Sequence, residues 1–93
     1  MAAALVPELY VSDLARSLDF YCGALGFSVV YQRREERFAY LERAGAELML
    51  EEPVGRTWLA GPLEAPYGRG VNFQIEVEDA AALRDAALAA GAP

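Results

Sequence analysis

Val71-Asn72-Phe73-Gln74-Ile75-Glu76-Val77, followed at once by Glu78-Asp79, reads as a strand running into a helix cap. Every odd residue is apolar and every even one polar, the period-two signature of a half-buried strand. Asp79 is a good N-cap, because its carboxylate can accept from the free amides of a first helical turn. The helix spans Ala80 to Ala90, and Gly91 supplies a left-handed stop. Leu83 and Leu88 are its only large apolar residues, and Ala fills most of the rest, so it can pack closely.

The same pattern stands at a constant offset of 66 residues. Leu5-x-x-x-Leu9-x-Val11-x-Asp13 lies over Val71-x-x-x-Ile75-x-Val77-x-Asp79. Leu5 to Val11 is the earlier strand, with Pro7 tolerable near its start. Ser12 or Asp13 caps the helix that follows. Leu14, Leu18, Tyr21 and Leu25 form its single apolar stripe, and Gly26 ends it.

Between the copies, Phe27–Gln32 is β-branched and aromatic and reads as a strand. Arg33–Arg37 is a charged, solvated hairpin connection. Phe38–Arg43 alternates as another strand, Ala44-Gly45 turns the chain, and Glu47–Glu51 is a fourth. Residues 53–70 form a connecting loop rich in Pro and Gly, with Trp58 at its middle. Loops this long in compact domains are usually functional or disordered. Two readings of Trp58 stand side by side: an affinity handle on the loop, or a pin that tucks into the core.

The chain is thus expected to be one α+β domain over 1–93. Residues 5–52 make a full βαβββ module, and 71–93 start a second with a strand and a helix. Internal repeats of this kind bury their faces against one another. Roughly thirty further residues, or a partner chain, are expected to complete the second module. Without them, strand edges and an apolar helix face stay uncovered.

Composition narrows the function. The 93 residues are 55% hydrophobic and 24% charged, which excludes disorder. No apolar run reaches membrane-spanning length. Cys22 is the only cysteine, so no disulfide scaffold exists, and it reads as a small packing residue rather than a nucleophile. There is no His, which removes the commonest general base and metal ligand. Fourteen acids face eight bases, all Arg, for a net charge of −6. That sign excludes a phosphate-reading nucleic-acid binder. It either steers cationic ligands or serves solubility alone. The apolar start Met1–Val6 has no basic segment and ends at Pro7-Glu8, so it is not a signal peptide, and the expected location is the cytoplasm. The Lys-free, Ala-rich content fits a GC-rich bacterial coding bias.

The sequence resembles the vicinal oxygen chelate superfamily, which includes glyoxalase I, extradiol dioxygenases and bleomycin resistance proteins. The resemblance rests on Tyr10-Val11-Ser12-Asp13-Leu14-Ala15-Arg16-Ser17-Leu18-Asp19-Phe20-Tyr21, Leu25-Gly26-Phe27, Glu47-Leu48-Met49-Leu50-Glu51-Glu52 and Gly70 to Val77. It implies the glyoxalase/bleomycin resistance fold of paired βαβββ modules, commonly as two-fold dimers, so a homodimer is expected. In the enzymes of this family a metal is held by first-strand His and last-strand Glu residues. Three of the four positions fall at Val6, near Met49 and at Asn72 here, all unsuited to a hard or borderline dication, and the fourth is expected beyond residue 93. The resemblance therefore points to a metal-free, cofactor-free, non-enzymatic branch, most like the bleomycin resistance proteins. The alternatives are a metal-dependent lyase, isomerase, thiol transferase or dioxygenase, or a truncated module without a ligand.

Strand alternation turns Leu9, Val11, Leu41, Leu48, Leu50, Phe73, Ile75 and Val77 toward the helices. The opposite faces carry Glu8, Tyr10, Phe38, Tyr40, Glu42, Glu47, Met49, Glu51, Asn72, Gln74 and Glu76. That surface holds aromatics and carboxylates and no base. It suits a cationic, flat-ringed drug such as bleomycin. The candidate ligand-binding residues are Phe38, Tyr40, Met49, Glu51, Trp58, Asn72 and Gln74. Phe38 and Trp58 would stack on rings, Glu51 would meet a positive tail, and Asn72 and Gln74 would hydrogen-bond. Glu42, Glu47 and Glu76 read as the wet side of the sheet.

Overall fold

The computed structural model describes residues 3–92. Met1 and Ala2 of the apolar start, and Pro93 after the second helix, lie outside the described residues. The chain order is β1 (Glu8–Tyr10), α1 (Leu14–Leu18), β2 (Ser28–Arg33), β3 (Phe38–Arg43), β4 (Ala46–Glu51) and α2 (Ala80–Ala89). The four strands form one sheet in the order β1-β4-β3-β2. β1 and β4 run parallel, and the other pairs are antiparallel. The element order from Glu8 to Glu51 is thus strand, helix and three strands.

Local chemistry accounts for the joints. Asp13 adopts extended backbone and accepts from the Arg16 amide at 3.2 Å, so it is the N-cap of α1. After Leu18 the helix widens into a π-turn over Asp19–Ala24. Gly26 follows with φ +79°, and the Arg43 Nε donates to the Leu25 carbonyl at 2.8 Å. A Cβ at Gly26 would meet that Nε at 3.4 Å, so both the backbone and the close approach favour glycine. Ala44 and Gly45 have φ 48° and 93° between the paired Arg43 and Ala46. Positive φ at both positions is the two-residue hairpin turn whose twist matches the sheet.

The core lies between α1 and one sheet face. Leu14, Phe27, Ala39, Leu41, Leu48 and Leu50 are buried, with Leu9, Val11, Leu18, Tyr21, Cys22 and Leu25 packed around them. Burial pushes the Cys22 thiol up, and the nearby Asp19 adds to the shift. The group is a packing thiol kept protonated.

Glu52 ties the module together. One carboxylate oxygen accepts from the Leu14 amide at 2.8 Å and the other takes Arg37 at 2.8 Å. The Leu14 hydrogen bond, then Arg37, hold this carboxyl below the ordinary carboxylate value. Its stabilisation is complete above the unfolded value near 4.5 and disappears as pH falls through the lower folded value. Glu52→Ala is therefore expected to reduce stability by about 1–2 kcal/mol at pH 7. Denaturant melts at pH 7 and at pH 3 check this. A gap between wild type and variant that does not shrink in acid would remove Glu52 from this role.

Several expectations are corrected. β1 is bounded at Glu8–Tyr10, with hydrogen bonds to β4 reaching the Pro7 carbonyl and the Val11 amide, so the expected Leu5–Val11 strand fails at its start, where Leu5 is 84% exposed. Phe27 precedes β2 and inserts into the core instead of starting the strand. Residues 71–77 join no ladder among the described residues. Alternation supplies a strand's pattern, but a strand also needs a neighbour to take its backbone groups, and the sheet ends at β1 and β2. Phe73 and Ile75, expected to turn inward, are 45% and 39% exposed. Asp79 does cap α2, accepting from the Ala82 amide at 3.0 Å. No residue of α2 is fully buried, and a cleft of about 250 Å³ separates Leu83 and Ala87 from Leu25 and Phe27. Among the described residues no helix is long and apolar enough to cross a membrane.

Candidate functional site

The sheet face turned away from α1 is built by register. Tyr10, Glu51, Phe38 and Arg33 form one cross-strand row. Glu8, Met49, Tyr40 and Tyr31 form the next, and Glu47, Glu42 and Ser28 the third. Phe38, Tyr40, Met49 and Glu51, all read as site residues, thus share one surface. Asn72 and Gln74 do not join it by pairing; both are exposed, on the segment outside the ladder.

Two members of this face, Tyr31 and Arg33, are additions. Plain alternation from Ser28 would turn Val30 and Gln32 this way. The register shifts between Val29 and Tyr31, and this bulge reverses the parity. Tyr31 then stacks on Tyr40 with centroids 5.4 Å apart and lies 5.8 Å from Phe38. The Arg33 guanidinium sits 4.4 Å from the Phe38 ring centroid and 5.9 Å from that of Tyr31. The expectation of a face with no base is therefore wrong. A β-branched pair before an aromatic, Val29-Val30-Tyr31, is weak notice of a bulge, since nothing in it names the extra residue.

The polar groups have definite states. Tyr40 donates to Glu47 Oε1 at 2.5 Å, which pushes its phenol up to about 12. Glu47 also accepts from the Ala3 amide at 2.7 Å, so it is committed to structure. Glu51 differs. Burial raises its carboxyl above the ordinary value, and the negative charges of Glu8 and Glu36 raise it further, against a smaller lowering by Arg33. Glu8 and Glu51 are diagonal neighbours on this face, since Glu8 pairs with Met49 and Tyr10 with Glu51. The two carboxyl groups make an acidic spot beside the aromatic rows.

Trp58 is 57% exposed, yet its ring stacks on Tyr10 at 4.4 Å with planes 19° apart. Its amide donates to the Tyr10 hydroxyl at 3.2 Å. The indole therefore lies against the rim of the face rather than in the core cluster. Beyond Tyr10, the 53–70 loop and β1 enclose a cleft of about 620 Å³ lined by Tyr10, Tyr21, Trp58, Tyr67 and Phe73, with Glu8 at its edge. The loop thus brings a second aromatic surface against the first.

Residues 3–93 match the Glyoxalase/Bleomycin resistance protein/Dioxygenase superfamily. The chain belongs to that superfamily. It is 31% identical to a bleomycin resistance protein of Geobacillus stearothermophilus and to one of Staphylococcus aureus, over 70 residues. That match covers 75% of this chain and 52% of each relative, so the chain spans about half the length of the curated relatives it matches. Among solved structures, SMU.1112c aligns with TM-score 0.57 and 25% identity, covering 98% of this chain and 77% of the other. A superfamily member from Vibrio splendidus 12B01 aligns with TM-score 0.50 and 45% identity, over 54% of this chain and 45% of the other. The α+β module is the glyoxalase fold.

Three of the four positions that the superfamily resemblance assigns to metal ligands lie in this chain, and the side chains there do not suit a hard or borderline dication. Val6 has no donor atom, Met49 offers a thioether, and Asn72 offers an amide. Among the described residues, no three His, Cys, Asp or Glu side chains converge to hold an ion.

Proposed function

We propose that the protein binds a cationic, flat-ringed small molecule of the bleomycin class stoichiometrically, with no chemistry and no metal or other cofactor. The observation that carries the reading is the juxtaposition of stacked aromatics with Glu8 and Glu51 on one sheet face. Rings supply flat apolar contact and attract positive charge through their quadrupole, and the carboxylates meet a cationic tail. The likeness to bleomycin resistance proteins supports the same reading. The protein works in the cytoplasm of a bacterium as a homodimer, a reading supported by the apolar Val71, Phe73, Ile75 and Leu88 left exposed. Its partners are neither nucleic acid nor membrane, consistent with the acidic balance.

Trp58 is the only tryptophan and lies at the rim of the face, so its emission reports occupancy. Titration with bleomycin at low salt is expected to give a saturable change at one ligand per chain, weakening as salt rises. No saturable change overturns the ligand class. Elemental analysis after dialysis is expected to find no stoichiometric Ni, Zn, Mn or Fe, and finding one overturns the metal-free reading.

A further inference from the structure

Phe38 is the sheet ring expected to stack on a ligand, yet only 2% of it is exposed. The Arg33 guanidinium covers it at 4.4 Å and reaches Tyr31 at 5.9 Å. We infer that Arg33 is an internal competitor, a tethered planar cation that fills the aromatic platform and must swing aside before a ligand's own planar cation can stack on Phe38. The inference rests on the proposed ligand class and adds a gate to the same site.

The geometry suits exchange. A guanidinium is flat, delocalised and weakly hydrated, so it occupies an aromatic face as an amidine or cationic heteroaromatic would. Its Nε is also paired with Glu36 at 3.0 Å, and both side chains are about half exposed. Glu36 lies three residues on, in the 3₁₀ turn Arg34–Glu36 that joins β2 to β3. Leaving the rings therefore does not strand the charge, since Glu36 can follow it into solvent. An exposed pair of this kind is weak and mobile. Glu51, next to Phe38 in the same row, loses the lowering influence of Arg33 at that moment and gains that of the arriving cation.

The test uses two probes and two variants. Benzamidinium, a bare planar cation, is titrated by NMR into wild type, Arg33→Gln and Arg34→Gln. Arg34 is exposed in the same turn, and its replacement removes the same charge without uncovering a ring. Arg33→Gln is expected to bind about five- to twenty-fold more tightly than wild type, and Arg34→Gln within about two-fold. In wild type, the ring-shifted Arg33 δ-methylene protons are expected to move toward solvent values as the probe saturates. Equal tightening in both variants assigns the effect to net charge and overturns the gate, and no tightening in Arg33→Gln overturns it as well. Bleomycin is then titrated into the same proteins. Its failure to bind a variant that takes benzamidinium tightly overturns the ligand class and not the gate.

Discussion

Leu50→Ala is expected to lower the unfolding free energy by about 3–4 kcal/mol. Leu50 sits in β4 with no solvent exposure, opposite Leu9 on β1 and Ala39 on β3. Its side chain reaches the cluster formed with Leu14, Phe27, Leu41 and Leu48. Truncation loses the transfer energy of the removed methyls and leaves a cavity that a two-sided sheet cannot close. A domain of this size holds only about 5–15 kcal/mol in all. Urea denaturation followed by circular dichroism should move to a clearly lower midpoint. Leu88→Ala is the contrast, because Leu88 on α2 is 53% exposed and should change stability by less than about 0.5 kcal/mol. Equal effects at the two positions would mean that the core is not centred on β4.

What the sequence made legible was the chemistry that acts within a few residues. Asp79 caps the second helix, Asp13 is the one of the two candidates Ser12 and Asp13 that caps the first, and Ala44-Gly45 is a two-residue turn. Those positions depend on backbone groups two to four residues away, so spacing is enough. The core stripe Leu14, Leu18, Tyr21 and Leu25 kept its face although the helix becomes a π-turn, because all four still pack on the same cluster.

Longer-range features were not legible for equally physical reasons. One bulge residue reversed the face of Tyr31 and Arg33, and no residue type in Val29-Val30-Tyr31 announces it. Glu52 serves an amide 38 positions earlier, a partnership that only the fold creates. The stretch 71–77 has the cleanest alternation in the chain and still pairs with nothing in the described sheet. Pattern is a property of one segment, whereas a ladder is a property of two. The candidate site divided along the same line: Phe38, Tyr40, Met49 and Glu51 share a face through local alternation and register, while Trp58 reaches it through a stack on Tyr10 that spacing does not encode.

Glu51→Gln is expected to weaken bleomycin binding by about ten- to a hundred-fold, the range for losing a charge-assisted contact. Glu8→Gln should weaken it less, since the remaining Glu51 would then ionise more readily. Glu51 is held above its ordinary value by burial first, then by Glu8 and Glu36. A cationic ligand favours the ionised form, so affinity should rise as pH climbs through that raised range, with a proton released on binding. Calorimetry in two buffers of different protonation enthalpy measures that proton. Glu51→Gln should abolish its release and flatten the pH profile; an unchanged profile would remove Glu51 from the site. Stability carries the opposite sign. A carboxyl whose folded value is raised binds its proton more tightly when folded, so it favours folding in acid, and that contribution is lost as pH rises through the folded value. At neutral pH an ionised Glu51 beside Glu8 therefore opposes the fold. Glu51→Gln should leave the melting midpoint at pH 7 unchanged or higher while binding falls. A residue that costs stability and supports affinity is one retained for its ligand, which is the reverse of Glu52, its neighbour in sequence, whose carboxylate holds the fold together.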